Sequence, residues 1–217
     1  MTPGPVTRHS YDLVAERYAA EIRGELAGKP LDRALLDSFA ELVGAGPVAD
    51  LGCGPAHIGA YLAGRGGSPV VGFDAAQAMC TIARRTTPLP IGVADLTALP
   101  LRSGSLGGLV CAYAVIHLDG DDRTTAYREF ARVLRPGGWA LVSFHTADDE
   151  TGPGQQRHTS ELLGVAVDLI FRFLDPVEEE QAMRAAGLPV FARLDREPHP
   201  GVEHPSRRSV LLARRAG

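Results

Sequence analysis

Three aspartates each close a short apolar run, in Val48-Ala49-Asp50, Val70-Val71-Gly72-Phe73-Asp74 and Gly92-Val93-Ala94-Asp95. The first run leads into Leu51-Gly52-Cys53-Gly54-Pro55-Ala56. Glycines at 52 and 54 permit a sharp turn and leave no Cβ between backbone and ligand. Pro55 suits the first turn of a following helix, where its missing N–H would be unpaired anyway. An acid about twenty residues past such a turn can accept hydrogen bonds from both hydroxyls of a ribose, and Asp74 occupies that place. The same carboxylate could cap a helix starting at Ala75, a role compatible with the first. His117 and His145 follow two further apolar runs, and imidazole has the pKa to accept a proton near neutrality. At both positions the alternative is a histidine that caps a loop or packs.

These residues need a scaffold that brings strand ends to one rim. From residue 47 onward, apolar runs at 48–51, 69–73, 91–94, 109–113, 139–144, 190–194 and 209–213 alternate with helical stretches at 55–64, 75–85, 122–135 and 176–186. That alternation predicts an α/β, three-layer fold with a mostly parallel sheet between helices. The 122–135 helix carries Tyr127, Phe130 and Leu134 on one stripe and should stop at Arg135-Pro136-Gly137-Gly138. Two helices precede the sheet, one with Tyr11, Val14, Ala15, Tyr18 and Ile22 on a face, the other with Leu35, Phe39 and Leu42. Gly28-Lys29-Pro30 separates them, so the first is expected to act as a lid. The chain is read as a single domain over 1–217, a helical lid and cap at 1–46 on a core at 47–217. Residues 146–164 form the longest polar stretch and are expected to be a functional loop.

Six segments in this order make the chain resemble the class I, Rossmann-like S-adenosylmethionine-dependent methyltransferases, in their small-molecule branch. They are YDLVAERYA at 11–19, VADLGCGPA at 48–56, VVGFD at 70–74, GVADL at 92–96, LVCAYAVIHL at 109–118 and VLRPGGWALVSF at 133–144. The resemblance implies seven sheet strands in the order 3-2-1-4-5-7-6, the last antiparallel, and S-adenosylmethionine as cofactor. It implies that Asp50 and the backbone of Gly52, Cys53 and Gly54 hold the methionine portion. Asp74 with Ala75 would hold the ribose, Asp95 and the Leu96 N–H the adenine, and Ala112 would lie beneath the cofactor. Tyr11 and Tyr18 match the lid-helix tyrosines, although simple packing explains their spacing too. Ala56 departs from the commoner glycine, tightening the turn, and Gly107-Gly108 replaces an aspartate that often opens strand four, which predicts a looser edge. Ala112-Tyr113-Ala114-Val115 stands where DNA amino-methyltransferases carry Asp or Asn followed by Pro-Pro and an aromatic, which disfavours nucleobase amines.

Composition narrows the partners. The net charge is −4 and no Lys/Arg block exceeds two residues, so the footprint of a nucleic-acid binder is missing and a small-molecule substrate is expected. Cys53, Cys80 and Cys111 are an odd set without metal-site spacing, which with the lack of a long apolar run predicts a cytoplasmic protein, neither membrane-bound nor disulfide-bonded, monomeric or homodimeric. Only Lys29 among the 22 basic residues is lysine, pointing to a bacterial source. No acid–histidine cluster has the ligand count of a catalytic metal site, so transfer should be metal-independent. In an open parallel sheet the acceptor must be reached by loops beyond the carboxyl ends. These loops offer His117, then His145 and His158, then His204 and Arg207; the last would favour an anionic acceptor, although an exposed arginine beside Arg208 is more often a solvated surface charge. Residues 165–173 alternate like a strand, with Asp168 and Arg172 facing away from its apolar side. A nicotinamide dehydrogenase would need glycine where His57 stands and leaves Asp50 unexplained. A regulatory cofactor binder, or a protein using the cofactor as a bound cation for cyclase-like chemistry, remains an alternative that fold alone does not separate.

Overall fold

The computed structural model describes residues 4–65 and 67–217; the first three residues of the expected cap, and Gly66, lie outside the described residues. Helices α1 (Pro5–Ile22) and α2 (Pro30–Val43) precede the alternating core. The core runs β1 (Val48–Leu51), α3 (His57–Ala63), β2 (Val70–Asp74), α4 (Gln77–Thr86), β3 (Ile91–Val93), β4 (Leu106–Ala112), α5 (Gly120–Val133) and β5 (Leu134–Ala147). Then come β6 (Gln156–Leu162), β7 (Val165–Arg172), α6 (Pro176–Ala185), β8 (Val190–Arg196) and β9 (Arg207–Arg214). The seven-stranded sheet has the order β3-β2-β1-β4-β5-β9-β8, with β9 antiparallel to both neighbours, as the resemblance implies. None of the helices in the described residues is long and apolar enough to cross a membrane.

Period-two alternation sends neighbouring side chains to opposite faces of the sheet. Leu109 and Cys111 of β4 join Tyr127 and Phe130 of α5 in one core, while Val110 between them joins Phe39 and Val43 of α2 in the other. Each fully buried large side chain of this kind contributes about 1.5–3 kcal/mol of hydrophobic stabilisation. On α2 the buried stripe is Leu36, Phe39 and Val43; Leu42, expected inside, is exposed. Helix α5 is capped by Asp119, whose carboxylate accepts from the Asp122 N–H, and it ends at Val133, two residues earlier than expected. Strand pairing takes over there, Leu134 lying opposite Leu106 before a register shift.

Three further expectations are corrected. Gly107-Gly108 does not loosen β4: a Cβ on Gly108 would lie 2.5 Å from Val43 Cγ2 and one on Gly107 2.8 Å from Gly46 Cα, so the pair lets the helical cap approach the sheet. The polar stretch at 146–164 is not all loop, because β6 pairs antiparallel with β7 in a hairpin outside the main sheet. Gly28-Lys29-Pro30 is not a loose joint: Lys29 is buried, with Nζ 2.7 Å from Glu25 and 3.0 Å from Glu203.

Candidate active site

Strands β1, β2 and β4 end on one rim. After β1 the chain turns through Gly52, Gly54 and Ala56, all left-handed at φ 66°, 53° and 62°. Glycine is required at 52, where a Cβ would sit 2.3 Å from that of Ala114. Helix α3 starts at His57, so Pro55 precedes the helix rather than occupying its first turn. Asp74 ties this turn to β2: its two oxygens accept from the N–H groups of Gly54 and Ala76, both at 2.8 Å. A carboxylate has roughly four acceptor directions, so the helix-capping role and the ribose role coexist. Burial raises the Asp74 pKa, and it raises that of Asp50, whose Oδ2 accepts from the Gly59 N–H at 2.8 Å, to about 6.

The cleft above this rim has two lobes. The first, about 100 Å³, is lined by Asp74, Ala75, Met79, Leu96 and, from α1, Arg8 and Tyr11. The second, about 650 Å³, is lined by Asp50, Cys53, His145, His204 and Arg208, with Phe171 and Phe173 from β7 and the residue after it. Tyr11, Tyr18, Gly52, Gly54, Ala112 and Tyr113 line both. Asp95 stands between Ala94 and Leu96, which line the first lobe, but does not line it itself; its carboxylate is engaged, one oxygen 2.5 Å from Arg8 Nη2 and the other accepting from the Thr97 N–H and hydroxyl.

The two leading histidines differ in what their nitrogens are free to do. His117 Nδ1 lies 3.2 Å from the Ile170 carbonyl, which can only accept, so Nδ1 carries the proton. Its Nε2 then accepts from the Tyr11 hydroxyl at 2.7 Å. Burial lowers the His117 pKa to about 4 and pushes the Tyr11 phenol well above its usual range, which fixes both protonation states. Both ring nitrogens are therefore occupied. His145 shares only Nδ1, 2.8 Å from Ser206 Oγ, and no described residue bonds its Nε2. Its ring stacks on Tyr113 at 4.9 Å, and burial, helped by Arg208, lowers its pKa to about 3.

Two expected substrate residues lie elsewhere. His158 points to the outer side of the hairpin, where its Nε2 meets Asp168 at 2.8 Å on the surface; Arg157, Thr159, Glu161 and Leu162 are the β6 residues that line the second lobe. Arg207 is exposed and pairs with Glu197, whereas Arg208, opposite His145 in the β5–β9 register, is buried and lines the lobe. Asp168 and Arg172 serve the lid and rim: the Asp168 backbone exchanges hydrogen bonds with Ser10 Oγ of α1, and Arg172 donates to the His117 carbonyl.

Sequence reasoning did not single out Tyr113 as a site residue. It stands just after β4 in the left-handed region, φ 57°, and its buried hydroxyl has no hydrogen-bond partner among the described residues. Nor did it find Glu203, whose side chain is almost fully covered and contacts Lys29, Arg196 and Arg208, fixing the loop before β9 as a wall of the second lobe. Against desolvation, Arg196, the His199 N–H and Lys29 hold the Glu203 carboxyl down at about 2.

Residues 48–138 match a family profile described as a methyltransferase domain. Among curated relatives, the chain is 37% identical over 105 residues to tRNA (carboxymethyluridine(34)-5-O)-methyltransferase ALKBH8 of Mus musculus, covering 48% of this chain and 15% of that protein. It is 30% identical over 141 residues to the ubiquinone/menaquinone biosynthesis C-methyltransferase UbiE of Acidiphilium cryptum, covering 60% and 55%. Among solved structures, the [4+2]-cyclase SpnF superposes with a TM-score of 0.72 at 18% identity, covering 96% of this chain and 94% of that one. The cleft has the features that S-adenosylmethionine, the cofactor the resemblance implies, would require. Asp74 faces the first lobe, the Gly52 backbone approaches the junction without a side chain, and the residues lining the second lobe include three buried polar atoms without hydrogen-bond partners among the described residues, Tyr113 Oη, His57 Nδ1 and Arg208 Nε, the last ion-paired with Glu203.

Proposed function

We propose that this chain is a class I, Rossmann-like S-adenosylmethionine-dependent methyltransferase that transfers a methyl group to a small-molecule acceptor without a metal ion, a reading supported by the methyltransferase-domain match and the fold. The observation that carries this reading is the junction of the two lobes, where Gly52, Ala112 and Tyr113 line both. A cofactor held by its nucleoside in the first lobe would present its reactive end to the second. When bound, S-adenosylmethionine supplies a methyl on a positively charged sulfur, so the sulfur–methyl bond breaks as the acceptor–methyl bond forms and the electron pair stays on sulfur. Asp74 and Ala75 hold the ribose, Leu96 borders the adenine, and Asp50, the Gly52–Gly54 backbone and Tyr18 hold the methionine end.

The chain's main contribution is alignment, which for well-oriented reactants is worth roughly 7–11 kcal/mol of barrier. Tyr11, Tyr18 and the hairpin exclude water from the junction. His145 Nε2 takes the proton that a protonated acceptor must lose. A methylated oxygen still bearing its proton is a strongly acidic oxonium, so for a hydroxyl acceptor an imidazole held at about 3 suffices. His117, with both nitrogens engaged, positions the lid instead.

The test supplies small metabolites and total tRNA in parallel and follows S-adenosylhomocysteine release and product mass. We expect a methylated small molecule, with His145→Ala lowering kcat by roughly 10²- to 10⁴-fold at unchanged cofactor affinity. Methylation of tRNA alone, or an unmethylated rearranged product without S-adenosylhomocysteine, overturns the reading.

A further inference from the structure

Resting on the methyl-transfer reading, we infer that the acceptor is an aromatic molecule bearing a basic amine, and that the second lobe rejects acidic acceptors. Every lysine or arginine lining that lobe already has a carboxylate. Lys29 is held by Glu25 and Glu203, Arg208 Nε lies 3.3 Å from Glu203, and Arg157 Nη1 lies 2.6 Å from Asp148. The lobe also contains Glu21 of α1 and Glu161 of β6, and among the described residues neither has a cationic partner. An acceptor carboxylate or phosphate would therefore give up water without meeting a free positive charge, and would face two negative ones. An ammonium would meet the opposite.

The remaining wall calls for a ring. Tyr113 and His145 are stacked, and Phe173 lies 6.2 Å from His145. Phe171 stands opposite Arg157 in the hairpin register, facing the same lobe. Aromatic faces attract a ligand ring by offset stacking and a ligand cation through the ring quadrupole. The unpartnered, buried Tyr113 hydroxyl adds a polar contact that nothing in the described chain satisfies. The carboxylates recognise the charge of the acceptor, whichever of its atoms receives the methyl.

Two probes that share a benzyl group and differ in charge, phenethylammonium and phenylacetate, test this by calorimetry on the full chain saturated with S-adenosylhomocysteine at low ionic strength. Wild type should bind phenethylammonium roughly tenfold more tightly. The Glu21→Gln/Glu161→Gln double variant should bring the two within about twofold, while Phe171→Leu should weaken both. Equal or tighter binding of phenylacetate, no binding of phenethylammonium, or a preference that survives in the double variant overturns the inference. Titrating S-adenosylhomocysteine into the same protein separates the two levels. If it fails to bind, the methyltransferase reading fails; if it binds and the charge order is wrong, only the acceptor class fails.

Discussion

Replacing Tyr11 by phenylalanine removes one oxygen and little else. The ring keeps its edge contacts to Tyr18 at 5.9 Å and to His117 at 5.1 Å. What disappears is the hydroxyl donated to His117 Nε2, and Ile170 prevents the imidazole from moving its proton there to compensate. A buried acceptor left without a donor costs roughly 1–3 kcal/mol. If the lid closes fully only over bound cofactor, that cost is drawn from cofactor binding, and a loss of 1–3 kcal/mol corresponds to about 5- to 150-fold in Kd. Calorimetric titration with S-adenosylhomocysteine measures it, and urea denaturation of the unliganded protein shows whether the fold is affected as well. We expect weaker cofactor binding with a much smaller change in unfolding midpoint. An affinity within twofold of wild type refutes the latch, and a stability loss as large as the binding loss makes Tyr11 a structural residue rather than a lid contact.

Gly52→Ala should damage both fold and cofactor binding, because left-handed backbone costs a non-glycine residue roughly 1–2 kcal/mol and the added Cβ would lie 2.3 Å from that of Ala114. A variant with wild-type melting temperature and cofactor affinity would show that the turn relaxes freely. Glu203→Gln should lower unfolding free energy by about 3–5 kcal/mol, since it removes the charge shared by three buried cations. Denaturant titration that finds less than about 1 kcal/mol, the range of exposed pairs, would mean that Asp32 and Glu25 hold the cluster without it.

The parallel core could be read because its strands are buried between two layers and its acids stop them at the rim. Asp50 and Asp74 both face the cleft, and Tyr11 and Tyr18 both line it. The hairpin was only half readable for a physical reason. Strand β7 alternates apolar and polar residues, but β6 turns Arg157, Thr159 and Glu161 toward the second lobe and His158 toward solvent, so residues 156–161 carry no apolar alternation. A strand whose polar side chains rim a cleft looks like a loop. Arg207 and Arg208 fail for a related reason: adjacent residues on a strand point to opposite faces, and only the pairing of Arg208 with His145 decides which of the two lines the lobe.

Chemistry at the second lobe depends less on which residues are present than on which have already found partners. His117 and His145 are indistinguishable as letters, yet Tyr11 and Ile170 engage both nitrogens of the first while Ser206 engages one nitrogen of the second. Arg157 and Arg208 suggest an anion site when counted, but Asp148 and Glu203 cancel them. Those two acids lie 9 residues before Arg157 and 5 before Arg208. Such separations fall outside helical or strand periodicity, so the pairing arises only when the loops close. Glu21 and Glu161 are ordinary surface acids in the sequence, and they set the lobe's electrostatic sign because the cations around them are taken. Acceptor charge preference is therefore a tertiary property of the site, carried by the remainder after pairing, and it runs opposite to the anion preference that Arg207 suggests in isolation.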